Sequence, residues 1–198
     1  MTDISPRHID ALTEIINIGV GRAASIINEM VGHHVSLRVP FVKLVRPEDL
    51  AREIGYEGNS EFSSVQMPFE GALHGVASLI FPPESASKLV AVLTGEESDS
   101  LDLDSIKVET LNEVGNIVLN SVIGSIGNLL EQRFEYSIPS YMEGVFNEIF
   151  LSAGASNPII MIAKADFLIM EHNIRGDIMI IFEVNSFDSV LLAIESSF

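Results

Sequence analysis

The chain has 198 residues and a mass of 21.6 kDa, with 28 acidic residues against 11 basic ones and a net charge of −17. A chain of this size hides roughly 70% of its extended-chain surface on folding, about 22,000 Å², which is enough for a real core. Hydrophobic residues at 47% and charged residues at 20% exclude a disordered acidic tail, while the scarcity of Lys and Arg excludes nucleic acid and an anionic membrane surface as partners. Cysteine is absent, so disulfides, thiolate metal sites and a thiol nucleophile are excluded too.

The opening residues, MTDISPRHID, contain charges and a proline but no apolar run of the secretory kind, so a cytoplasmic protein is expected. Ser5 followed by Pro6 then predicts the start of a long amphipathic helix over about residues 6–31. Strand-like alternation follows at Val35–Val39 and ends at Pro40. Residues 46–61 are polar and contain glycine, and they read as an excursion from the main elements. A hairpin of Ser63–Phe69 with Leu73–Phe81 comes next, and a shorter helix over about 84–94 closes this half. The acidic segment Thr94–Asp104 is poor in large apolar residues and reads as a linker.

A second long helix is predicted over about 105–132, with Asp104 or Ser105 able to cap it. It includes the uncharged run Val114–Leu130, 17 residues long. Asn116, Asn120, Asn128, Ser121 and Ser125 interrupt that run, so it reads as a core helix and not a membrane span. A strand at Phe134–Ile138 ends at Pro139, residues 140–157 form another excursion, and a hairpin pairs Ile159–Met170 with Ile174–Val184. A short helix over about 186–195 completes the plan.

The second half thus repeats the first. A shift of 99 positions, half of 198, pairs Leu12 with Leu111, Glu14 with Glu113, Asn17 with Asn116 and Pro40 with Pro139. A shift of 101 pairs Gly75 with Gly176 and Phe81 with Phe182. The expected fold is an α/β (α+β) single domain over 1–198, built as a pseudo-two-fold from like halves 1–99 and 100–198. Its two long helices should pack side by side on a largely antiparallel sheet.

At 100° per residue, Asp10, Glu14, Asn17, Gly21, Ser25 and Asn28 share one stripe of the first helix. Leu12, Ile15, Ile16, Ala23, Ile26 and Ile27 lie opposite, on the core side. On the second helix the stripe is Glu109, Glu113, Asn116, Asn120, Gly124 and Gly127, with Leu111, Val114, Val118 and Val122 facing away. Each helix therefore presents a carboxylate and a carboxamide one turn apart, followed by small residues. Amphipathic helices need polar faces, so Glu and Asn alone are ordinary. Asn, however, is a mediocre helix former, and a merely solvated position favours Lys, Glu or Gln. Small residues beside it let another surface come close.

The segments ALTEIINIGVGRAA (Ala11–Ala24) and LNEVGNIVLN (Leu111–Asn120) resemble the CheC/CheX/FliY phosphatases of bacterial and archaeal chemotaxis. That family's signature is Asp or Ser, three residues, Glu, two residues, Asn, twenty-two residues, Pro. Asp10, Glu14, Asn17 and Pro40 match it fully; Glu113, Asn116 and Pro139 match it with Glu109 in place of Asp or Ser. Two sites with no added carboxy-terminal switch domain resemble the CheC branch, in contrast to one-site CheX or longer FliY.

The resemblance implies an aspartyl-phosphate phosphatase acting on a CheY-type response regulator. It implies Asn17 and Asn116 as water-orienting groups, Glu14 and Glu113 as docking groups for a regulator lysine, and Asp10 and Glu109 in support. It further implies a Mg²⁺ carried by the regulator, no cofactor of the chain's own, and the deamidase CheD as a second partner. The competing expectations are a non-catalytic adaptor for the regulator or CheD, and a structural part of the flagellar or archaellar switch.

Other signals are weaker. Gly19-Val20-Gly21-Arg22-Ala23-Ala24 fits G-x-G-x-x-A, but its glycines continue a helical pattern and no strand precedes them. His33 and His34 adjoin without other ligands nearby, and Ser63-Ser64 and Ser196-Ser197 lack a nucleophile-elbow context. Pro40 and Pro139 are expected to end strands or set turns.

Overall fold

The computed structural model describes residues 5–38, 41–56, 60–71, 73–95, 103–146 and 160–183. Helix α1 (Pro6–Val31) begins at a reciprocal cap. The His8 N–H donates to Ser5 Oγ at 3.4 Å, and the Ser5 N–H donates to His8 Nδ1 at 3.3 Å. The helix ends at Gly32, whose φ of +69° suits a residue without Cβ and whose N–H donates to the Asn28 carbonyl at 2.9 Å. Strands β1 (Val35–Leu37) and β2 (Phe41–Val45), the short α2 (Leu50–Glu53), β3 (Glu61–Gly71), β4 (Gly75–Phe81) and α3 (Pro83–Thr94) follow. Then come α4 (Leu103–Leu129), β5 (Phe134–Tyr136), β6 (Ser140–Val145), β7 (Ile160–Ile169) and β8 (Ile174–Glu183).

Three expectations need correcting. Helix α4 starts at Leu103, so Asp104 and Ser105 lie in its first turn and not at its N-cap position. It also stops at Leu129, because the Gln132 N–H turns back to the Gly127 carbonyl at 2.8 Å and Glu131 takes a φ of +54°. Two strands, β2 and β6, fall in stretches that show no clear alternation, for both are half-exposed edges whose register comes from a neighbour. The expected helix over 186–195, Val39, Pro40, most of the acidic linker and 147–157 lie outside the described residues.

All eight strands join one antiparallel sheet in the order β1-β7-β8-β4-β3-β5, with β2 also on β7 and β6 also on β3. The pairings cross over: β1 and β2, after α1, pair with β7, whereas β5 and β6, after α4, pair with β3. Alternation then sends Val65, Met67, Ala77, Leu79, Ala163 and Ile178 towards the helices. On that face α1, α3 and α4 bury Leu12, Ile16, Leu89, Leu111, Val118 and Val122.

Two glycines set how closely the helices lie. A Cβ on Gly19 of α1 would stand 3.0 Å from the Val122 carbonyl of α4, so the two rods meet backbone to backbone. Arg22 bridges the same seam by donating to Ser125 Oγ at 3.2 Å. A Cβ on Gly115 would overlap the Val65 side chain, so α4 rests directly on β3. Gly115→Val is expected to lower stability by about 1–3 kcal/mol in urea unfolding. Gly124→Ala, whose Cβ would find only Tyr136 Oη at 3.8 Å, should lose nothing. Equal stability of both variants would contradict this packing.

The other sheet face carries a smaller cluster in which Tyr56 packs edge-on to Phe62 and stacks on Phe146. Asp166 and Asp177 stand directly opposite each other on β7 and β8, with Lys164 Nζ 3.0 Å from the first and 3.5 Å from the second. Burial pushes the Asp177 carboxyl up to about 7 against the pull of Lys164. The folded state therefore holds that proton more tightly than the unfolded chain, so stability falls as pH rises from about 4 through 7. Asp177→Asn should stabilise the protein by about 2 kcal/mol more at pH 8 than at pH 5. Equal gains at both pH values would show that Asp177 ionises freely.

Candidate active site

Helix α1 buries Leu12, Ile15, Ile16, Ala23 and Ile27, while Ile26, expected in the core, is half-buried at its margin. Burial of that side turns Asp10 and Glu14 outward and exposed, and leaves Asn17 half-buried one turn on. On α4, Leu111, Val114, Val118 and Val122 are buried, Glu109 and Glu113 are exposed, and Asn116 is half-buried. Both predicted carboxylate–carboxamide pairs thus sit on outward faces of adjacent helices. Gly127 departs from the predicted stripe. It is buried because the chain reverses after Leu129 and lays Phe134 and the Gln132 carbonyl over it.

The second pair lies in an open groove of about 610 Å³. Ser105, Val108, Glu109, Asn112, Glu113 and Asn116 of α4 form one wall, and Ile138 and Pro139 form the other. Pro139, expected only to end a strand or set a turn, therefore also shapes the site, since the β5–β6 connection arches beside the helix. Ile138 is 90% exposed, an unusual setting for an isoleucine, and Val108 and Ile117 add exposed apolar surface close by. Sequence reading missed Ile138 and Asn112. The one available signal for Ile138 was its place just before the motif proline.

A polar brace fixes the two walls relative to each other. Lys107, on the first turns of α4, donates to Glu143 of β6, and Tyr141 Oη donates to the same carboxylate. Ser63 of β3 donates to Glu143 Oε1 at 3.2 Å, completing the link to the sheet. The hydrogen bond from Lys107, helped by Tyr141, holds the Glu143 carboxyl below the ordinary carboxylate range. The brace thereby keeps its charge at neutral pH and ties α4 to the strand that follows Pro139.

The groove-lining Asn116 accepts at its Oδ1 a hydrogen bond from Asn120 Nδ2 at 2.7 Å, one helical turn further along α4 and outside the groove lining. Asn17 has no side-chain hydrogen-bond partner among the described residues, and Gly21 occupies the place that corresponds to Asn120. Pro40 lies outside the described residues.

The alternative signals resolve simply. Gly19 to Ala24 lie in the middle of α1, without the strand and turn that a dinucleotide site requires. The ring of His33 packs edge-on against His172 with centroids 4.5 Å apart. Among the described residues, no three His, Asp or Glu side chains gather as metal ligands, and no helix is long and apolar enough to cross a membrane. Ser63 is buried in the brace.

Comparison with known proteins agrees with this architecture. Residues 63–161 match the family described as "Chemotaxis phosphatase CheX". The "CheY-P phosphatase CheC" of Bacillus subtilis is 23% identical over 203 residues, covering 98% of this chain and 97% of that protein. Among solved structures, FliY of Thermotoga maritima superposes with a TM-score of 0.77 at 18% identity, covering 100% of both chains. CheX of Borrelia burgdorferi, crystallised as a CheX-CheY-BeF3-Mg+2 complex, superposes with a TM-score of 0.58 at 17% identity, covering 84% of this chain and 96% of that one. Motif, fold and whole-length likeness converge, and the chain belongs to the CheC/CheX/FliY family of CheY-P phosphatases and their relatives.

Proposed function

We propose that this protein hydrolyses the aspartyl phosphate of a CheY-type response regulator, using Asn17 and Asn116 to place the attacking water. The carrying observation is the pair of outward carboxylate–carboxamide couples on α1 and α4, the second of them in a groove open to a visiting protein. An acyl phosphate has a good carboxylate leaving group, and phosphoryl transfer passes through a loose transition state that demands little proton abstraction. Holding water in line with the breaking P–O bond is then the main task. Water oxygen bonds to phosphorus, the bond to the aspartyl oxygen breaks, and inorganic phosphate and the free aspartate result.

A neutral carboxamide suits this work because its oxygen accepts from water while its NH2 donates to a phosphoryl oxygen. A carboxylate in its place would repel the phosphoryl group. Glu14 and Glu113, one turn away and exposed, serve instead to pair with a regulator lysine, with Asp10 and Glu109 adding to the local negative field. Ile138 and Val108 supply apolar contact beside the ion pair. In this reading Mg²⁺ arrives with the regulator, the chain needs no cofactor of its own, and CheD is a second partner. The Borrelia CheX complex, which contains CheY, BeF3 and Mg²⁺, supports a CheY-type partner. An adaptor that only bound the regulator would have no chemical need for two half-buried carboxamides on a helix face.

Asn17→Ala combined with Asn116→Ala should slow stimulated dephosphorylation by at least about 100-fold. Its melting temperature should match the parent, since neither side chain is in the core. A folded double variant with full activity would exclude the carboxamides from the chemistry. Ile138→Asp, measured with Asn17→Ala so that only the α4 site works, should raise KM by roughly tenfold and leave kcat within about twofold. An unchanged KM would remove the apolar wall from the docking surface.

A further inference from the structure

We propose that Asn120 is a positioning residue for the α4 site, and that its hydrogen bond makes this site the faster of the two. The inference rests on the phosphatase reading above and concerns how the two sites differ. The last torsion of an Asn side chain is broad and roughly two-fold, so an untethered carboxamide samples orientations that exchange its oxygen and nitrogen. Water can be placed in line only from one of them. Asn120 Nδ2 occupies one lone pair of Asn116 Oδ1 at 2.7 Å. The second lone pair stays available for water, and the Asn116 NH2 stays available for a phosphoryl oxygen. Asn116 lines the groove and Asn120 does not, so Asn120 acts through its neighbour and not on the substrate.

The α1 site lacks this device. Its corresponding position is Gly21, which has no side chain to donate, and Asn17 has no other side-chain partner among the described residues. Among the described residues, only the Asn116 carboxamide is tethered in one orientation by a neighbouring side chain. Gly21 is exposed, and a Cβ built there meets nothing within 4 Å. The missing donor can therefore be installed on α1 without a clash, which makes the comparison reciprocal. The bland account of the Asn116–Asn120 bond is a local helix-stabilising pair spaced i,i+4. That account assigns Asn120 an effect on stability alone, and Ala, the better helix former, would offset even that.

The test uses the full chain and an acyl-phosphorylated CheY-type regulator, with kcat and KM measured for one site at a time. In the Asn17→Ala background, Asn120→Ala should lower kcat by about fivefold, with KM and melting temperature unchanged. Asn120→Asp, of the same shape but unable to donate, should lose at least as much. In the Asn116→Ala background, Gly21→Asn should raise kcat by a similar factor, a gain that helix stabilisation alone would not give. A kcat for Asn17→Ala/Asn120→Ala within twofold of Asn17→Ala, or a loss confined to KM, overturns the positioning role and leaves the phosphatase reading standing. A parent protein that fails to accelerate dephosphorylation overturns both.

Discussion

The contact between α1 and α4 governs everything outside it. Gly19 lets the helix backbones meet, Gly115 seats α4 on β3, and Arg22 spans the seam to Ser125. A helix held this tightly has its rotation fixed, because its core side chains fit one arrangement of the facing sheet. Once Val118 and Val122 are inside, Glu113 and Asn116 have only one place to go, which is outward. The working surface is thus set by the packing of residues that never touch a partner. The function proposed for it draws its chemistry from orientation, so rotational control of the helices is the physical requirement that the fold meets.

The sheet contributes a second constraint. Strands that follow each long helix pair with the hairpin of the opposite half, β1 and β2 with β7, β5 and β6 with β3. The crossing carries the loop before β6, with Ile138 and Pro139, up beside α4. The Lys107–Glu143–Tyr141–Ser63 brace then holds that loop's strand against the helix that forms the other wall. Stiff walls and an open mouth are suitable for receiving another folded protein, which has little freedom to adapt its own surface.

Much of this was legible in the sequence because two periodicities are strong in it. The period of the long helices placed their polar stripes, and α1 starts where Ser5 and Pro6 signal it, while Gly32 ends it in the structure. The central hairpins were readable from runs of alternating or continuous apolar residues. The edge strands β2 and β6 were not, since half-exposed strands blur the alternation and draw their register from β7 and β3. The end of α4 and the burial of Gly127 also escaped, being consequences of where the chain turns back and what it lays down there. Ile138 looked like an ordinary strand residue; only the arch of the β5–β6 connection shows it standing exposed in the groove. The bond between Asn116 and Asn120 follows from i,i+4 spacing, but its contrast with Gly21 acquires meaning only beside an Asn17 that has no side-chain partner among the described residues.

The central claim is that two outward acid–amide couples convert bound water into a nucleophile for another protein's acyl phosphate. The most direct measurement is the lifetime of a phosphorylated CheY-type regulator with and without catalytic amounts of the unaltered chain. The account predicts a shortened lifetime with multiple turnovers per protein molecule and stoichiometric release of phosphate. A lifetime that stays the same while the two proteins demonstrably bind would contradict it.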